Sequence, residues 1–259
     1  MSIPNRIILT YKTDKIELFP EKYKMCYTEI KKYFGNNFEI KIYIDSEMDN
    51  IVKNYSKDLY EIYKKQHIIV KTDIFRLVAL YVLGGYYMDM DIFWIKSPDK
   101  LLENIKKENK EIVFCVEKKG LQQNNYFFKN KNITSQISNY FIASKKNSPI
   151  LKIFIDNLFN TLNENTKLIL SKWTPCHMLL LINRNNILNN VLISKEQIDN
   201  QHVYKIADVL MRSGPLFITN IYTELDKKIT DNIQIIPSEN NDMVGNWAKH
   251  LYSGLGWKN

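Results

Sequence analysis

The sequence predicts an α/β sandwich with a largely parallel central sheet, on three observations. Short apolar runs alternate with helix-length segments through residue 116. The most apolar helical segment stops at a double glycine and passes at once into another strand-like run. The chain, at 259 residues, is long enough for one large domain with a self-sufficient core.

The elements are expected in the following order. Ile3 to Tyr11 contains the buried run Ile7-Ile8-Leu9 and opens the sheet. Pro20 to Phe34 has helical apolar spacing and stops at Gly35. Phe38 to Ile44 alternates apolar and polar residues, a strand closed by Asp45. A polar helix is expected over Asp49 to Lys64 and an apolar one over Lys71 to Leu83, ended by Gly84-Gly85. Residues 86–88 form a strand, then come Asp89-Met90-Asp91 and the run Ile92-Phe93-Trp94-Ile95, stopped by Ser97-Pro98. Ile112 to Val116 is another buried strand.

In the second half, Ser148-Pro149 opens a helix with Leu151, Phe154, Ile155, Leu158 and Leu162 on one stripe. Thr174-Pro175 and Ser213-Gly214-Pro215 repeat that opening. Gln122 to Asn132 reads either as a loop over a site or as a surface excursion. There is no internal repeat and no clear linker, so residues 1–259 are expected to form a single domain.

Composition sets limits on function. The net charge is +8, yet only Arg6, Arg76, Arg184 and Arg212 among the 36 basic residues are arginine, and the lysines are scattered. That pattern describes a solvated surface, with no nucleic acid expected as partner; a basic face can still meet an anionic donor or the surface of an anionic membrane. Three distant cysteines, Cys26, Cys115 and Cys176, argue against a disulfide framework or a zinc knuckle. With no leader-like start and no long apolar run, a cytoplasmic location is expected.

Chemistry concentrates in residues 71–91. On extended backbone, residues i and i+2 project to one side, so Asp89 and Asp91 can converge. Two carboxylates about 4 Å apart repel by roughly 4 kcal/mol at an effective dielectric near 20, and a divalent cation removes that repulsion. A bare Asp-x-Asp is more often an exposed turn; here apolar runs flank it on both sides. Asp73 and Arg76 lie one helical turn apart, either as a plain ion pair or as groups for a polar ligand. His250 and Trp257 close the chain in a glycine-containing tail.

Lys71-Thr-Asp73-Ile-Phe-Arg76 through Gly84-Gly85-Tyr-Tyr-Met-Asp89-Met-Asp91 resembles the sugar-binding region of glycosyltransferase family 32. That family includes initiating mannosyltransferases and capsular polysaccharide sugar transferases. Weaker likenesses follow in order: the opening strand ending at Thr10-Tyr11, where Trp is usual in place of Tyr11; Ile137-Ser-Asn139; Arg212-Ser-Gly214-Pro215; and His250 to Trp257. The resemblance implies a GT-A type, Rossmann-like α/β/α sandwich with helical additions. It also implies a Mn²⁺ or Mg²⁺ ion, and retaining transfer from a nucleotide-sugar to a glycan or other hydroxyl acceptor, with a UDP-sugar favoured and GDP-mannose as the other donor. Residues 1–116 would then form the nucleotide-sugar half and 117–259 the acceptor-side and closing half. By motif position Asp91 is the main metal ligand and Asp89 meets metal or ribose. Asp73, Arg76 and Asn139 lie at the donor sugar, Thr10 and Tyr11 near the base, and His250 and Trp257 near the diphosphate, with His250 a candidate metal ligand. A catalytically idle nucleotide-sugar-binding module is the alternative.

Overall fold

The computed structural model describes residues 2–119, 135–163, 209–210, 212–238 and 240–251. Its first half runs β1 (Arg6–Thr10), α1 (Glu21–Phe34), β2 (Glu39–Tyr43), α2 (Asp45–Tyr55), α3 (Lys57–Tyr63), α4 (Ile68–Leu83), β3 (Gly85–Met88) and β4 (Ile92–Trp94). Then follow α5 (Asp99–Glu108), β5 (Ile112–Lys119), β6 (Ser135–Ser144) and α6 (Pro149–Asn163). The described C-terminal part adds α7 (Pro215–Glu224), α8 (Lys227–Thr230), β7 (Ile233–Ile236), β8 (Met243–Val244) and β9 (Ala248–His250).

Six strands form the main sheet in the order β2-β1-β3-β6-β5-β7. β1 pairs in parallel with β2 and β3, and β5 with β7, whereas β6 runs antiparallel to both neighbours. The expected mostly parallel sheet is therefore present, with one reversed strand. β4, β9 and β8 form a second, antiparallel sheet.

Alternation along β1 divides the apolar interior. Ile8 joins a cluster with α2, α3, α4, α6 and α7, while Ile7 and Leu9 join one with α1, α5 and the small sheet. Helices thus cover both faces. α4 is apolar almost all round and correspondingly buried, with Asp73 and Arg76 as its buried charged residues.

Gly84 and Gly85 allow α4 to lead directly into β3. Their φ values are +67° and +116°, a region in which side chains are strained. A Cβ on Gly85 would lie 2.6 Å from the Arg6 carbonyl oxygen.

Several boundaries differ from expectation, among them the end of β5, which runs to Lys119 rather than Val116. The helix read over 49–64 splits at Ser56, whose hydroxyl accepts the Leu59 N–H at 3.2 Å and caps α3. α2 begins at Asp45 and α4 at Ile68, each earlier than apolar spacing alone indicates. The run 92–95 does contain a strand, but it belongs to the small sheet.

β6 is irregular where it matters. Between the pairs Phe114↔Ile142 and Val116↔Ile137, β5 advances by two residues and β6 by five. Residues 138–141 therefore bow opposite the single residue Cys115 of β5, whose Sγ lies 2.8 Å from Ser138 Oγ; Phe141 pairs with Met88, and the Tyr140 carbonyl accepts the Asp89 N–H at 2.9 Å. No helix among the described residues is long and apolar enough to cross a membrane.

Candidate active site

A cavity of about 290 Å³ opens beyond the carboxyl ends of β1 and β3, where ligands sit in open α/β sheets. It gathers Thr10, Tyr11, Asp73, Arg76, Asp89, Asp91, Asn139 and His250, candidates drawn from five separate parts of the sequence. Trp257 lies outside the described residues, as do Gln122 to Asn132 and Thr174-Pro175.

Arg76 holds the inner wall together. Its guanidinium lies 3.0 Å from Asp73 Oδ1 and 3.5 Å from Asp89 Oδ1, and donates to the Asn139 carbonyl. It also lies over the Tyr87 ring, 4.7 Å from the centroid. The Tyr87 hydroxyl donates to Asp89 Oδ1 at 2.7 Å. Asn139 Nδ2 donates to Asp73 Oδ1 at 2.9 Å, and the Ser213 hydroxyl to Asp73 Oδ2 at 2.7 Å. Asp73 is thus both an ion-pair partner and a wall of the cavity.

The acidic pair meets an imidazole. Nε2 of His250 lies 3.1 Å from Asp91 Oδ1 and 3.8 Å from Asp89 Oδ2. One candidate ligand atom from each of the three residues lies within 4.8 Å of the others. β9 carries His250 into place opposite Ile92, and the Leu251 N–H donates to the Asp91 carbonyl at 3.0 Å. The ring stacks on Tyr140 at 4.5 Å, which fixes its plane. Two carboxylates and one oriented imidazole make a donor set that fits a divalent first-row cation.

The charges strain against burial. Desolvation pushes the Asp73 carboxyl up to about 7, against the pull of Arg76 and Ser213. Burial also raises Asp89, and neighbouring Asp91 adds to the rise against the pull of Arg76. For His250, burial favours the neutral ring, but the hydrogen bond and charge of Asp91, then Asp89 and Glu117, outweigh it and raise the pKa. At the outer edge Tyr11 packs on Phe19 at 4.4 Å and on Tyr23 at 5.1 Å, an aromatic surface suited to a planar ring.

Sequence reasoning missed Ser213, Tyr23, Tyr140 and Glu117. Ser213 lies inside the turn already singled out at Gly214-Pro215, so its hydroxyl was a readable signal. Glu117 follows directly on the buried strand 112–116, a position that in such sheets faces ligand.

Residues 11–110 match the family model described as "Glycosyltransferase sugar-binding region containing DXD motif". No curated protein matches the chain. Among solved structures the chain is similar to the "PaToxG Glycosyltransferase" at 15% identity and TM-score 0.45, covering 89% of this chain and 74% of that one. The UDP-bound glycosyltransferase domain from the YGT toxin shares 13% identity at TM-score 0.42, over 85% of this chain and 57% of that one. The catalytic domain of alpha-toxin from Clostridium novyi shares 10% identity at TM-score 0.49, over 100% and 80%. The match spans 100 of the 259 residues and supports transferase activity, and the Asp-x-Asp inside it is Asp89-Met90-Asp91.

Proposed function

We propose that this chain is a metal-dependent, retaining glycosyltransferase that moves a hexose from a nucleotide-sugar to a hydroxyl acceptor, with a UDP-sugar favoured on the family 32 resemblance. The observation that carries the reading is the meeting, in one cavity, of Asp89, Asp91 and His250 with the Asp73–Arg76–Asn139 group. Asp89, Asp91 and His250 would hold the cation, and the imidazole favours Mn²⁺ over Mg²⁺. When bound, the ion supplies positive charge to the departing diphosphate.

The chain's own residues do the remainder. Arg76 is fixed by Asp73, Asp89, the Asn139 carbonyl and the Tyr87 ring, so its charge is preorganised and needs no rearrangement during reaction. The Asp73 carboxylate lies where positive charge would develop on the sugar ring. Both of its oxygens already accept hydrogen bonds, which suits an electrostatic anchor better than a covalent nucleophile. For the retaining outcome that the family 32 resemblance implies, a front-face displacement assisted by the departing phosphate needs no such nucleophile. Tyr11 and Tyr23 offer the surface for the base.

The test is a panel of UDP- and GDP-sugars incubated with the protein and MnCl₂, with nucleotide release measured. One nucleotide series should be released with Mn²⁺ and retained with EDTA, and Asp91→Asn should abolish release while its thermal unfolding stays near that of the wild type. Donors that raise the melting temperature without any release would leave a binding module instead. Full activity in Asp91→Asn would overturn the metal assignment.

A further inference from the structure

The cavity contains a carboxylate that none of these roles uses. Glu117 of β5 is 7% exposed and lines the cavity. Gln136 of β6 donates through Nε2 to its Oε2 at 2.8 Å. The pairing passes from Val116↔Ile137 to Lys118↔Gln136, two residues of β5 against one of β6, so Glu117 is the extra residue of a bulge. Bulges re-aim a side chain, and here the re-aimed group is acidic and buried. Its carbonyl accepts the Asp242 N–H at 2.8 Å, and the Asp242 carbonyl accepts the His250 N–H at 2.9 Å. Glu117 is therefore tied to the wall that bears His250.

Burying a carboxylate is unfavourable unless hydrogen-bond donors meet it. Among the described residues the compact metal-binding group is Asp89, Asp91 and His250, and Glu117 stands outside it. Strand order indicates what Glu117 would meet. Tyr11 follows β1, the acidic pair follows β3, Asn139 is on β6 and Glu117 is on the next strand, β5. Neighbouring strands lie about 4.8 Å apart, so β1 to β5 spans about 14 Å, comparable to an extended nucleotide-sugar. A donor with its base at Tyr11 and its diphosphate at the acidic pair brings its sugar to β6 and β5.

We propose that Glu117, held by Gln136, reads the donor sugar: it accepts a hydrogen bond from a sugar hydroxyl and disfavours a sugar that carries its own carboxylate. The inference rests on the nucleotide-sugar reading and narrows it to neutral hexoses over uronic acids. Like charges brought together in a poorly solvated cavity repel strongly, so the discrimination should be large.

Isothermal titration with MnCl₂ tests it, using UDP, UDP-glucose and UDP-glucuronate, and in parallel GDP, GDP-mannose and GDP-mannuronate. In the series that binds, the wild type should prefer the neutral sugar to the uronate by about tenfold or more. Glu117→Gln should weaken the neutral donor, bring that ratio toward one and change the Kd of the free nucleoside diphosphate far less than that of the neutral donor. Glu117→Asp keeps the charge and should keep the discrimination while weakening the neutral donor. An unchanged ratio in Glu117→Gln overturns the inference alone, and so does an equal loss for the free diphosphate. If the wild type binds neither series, the parent reading fails and the inference fails with it.

Discussion

The Ser213 hydroxyl donates to Asp73 Oδ2 at 2.7 Å across a separation of 140 residues. Ser213 belongs to the turn before α7, while Asp73 lies in the second turn of α4. A buried carboxylate on an apolar helix is thus satisfied from the far end of the chain. Hydrogen bonds to charged groups contribute about 1.5–3 kcal/mol. Ser213→Ala should lower unfolding stability by about that amount in urea titrations and reduce nucleotide release, and Ser213→Thr, which keeps the hydroxyl, should restore both.

Arg76→Lys retains a positive charge but loses the planar fork that spans Asp73, Asp89 and the Asn139 carbonyl. Turnover should fall on the order of 100-fold, the usual cost of removing one preorganised donor. Steady-state kinetics at saturating donor measure it, and wild-type kinetics would reduce Arg76 to an ordinary structural ion pair.

Gly85→Ala places a methyl group 2.6 Å from the Arg6 carbonyl oxygen, at a φ of +116°. Backbone strain of this kind costs about 1–3 kcal/mol. The urea midpoint should drop accordingly, and β3 should shift against β1, altering the acidic pair that follows.

Burial pushes the Cys115 thiol up to about 12, and burial with the nearby Asp91 charge pushes Cys26 up to about 11. Both should resist iodoacetamide at pH 8 in the folded protein and react at ordinary rates in urea, as mass spectrometry would show. A raised thiol pKa gives stability that is complete below the ordinary value of 9.0 and is lost as pH rises through the folded values. The urea midpoint should therefore decline from pH 9 to pH 11, and a Cys26→Ala, Cys115→Ala double variant should decline less.

What could be read in advance was local. Asp89 and Asp91 are two residues apart, Asp73 and Arg76 one helical turn apart, and short-range geometry suffices to bring each pair together. Arg76 meeting the Asn139 carbonyl depends on the bow in β6, and register of that kind is set by tertiary packing rather than by the strand itself. β6 also escaped the pattern because several of its polar residues meet buried partners instead of solvent: Gln136 turns to Glu117, Ser138 to Cys115 and Asn139 to Asp73. α5 buries only Leu101 and Ile105, too thin a stripe to stand out. The break at Ser56 was a recognisable cap inside a segment whose spacing read as one helix.

The reversed strand has a consequence for modularity. β6 arises after residue 134 yet lies between β3 and β5, both formed earlier in the chain. A fragment ending near residue 116 would keep Asp73, Arg76 and the DXD motif but leave two raw sheet edges where β6 belongs. Residues 1–116 therefore cannot complete the main sheet by themselves, because the strand between β3 and β5 comes from beyond residue 134. The front of the chain is finished only when a later segment is laid into its middle, so the two halves are one folding unit in space though separate in sequence.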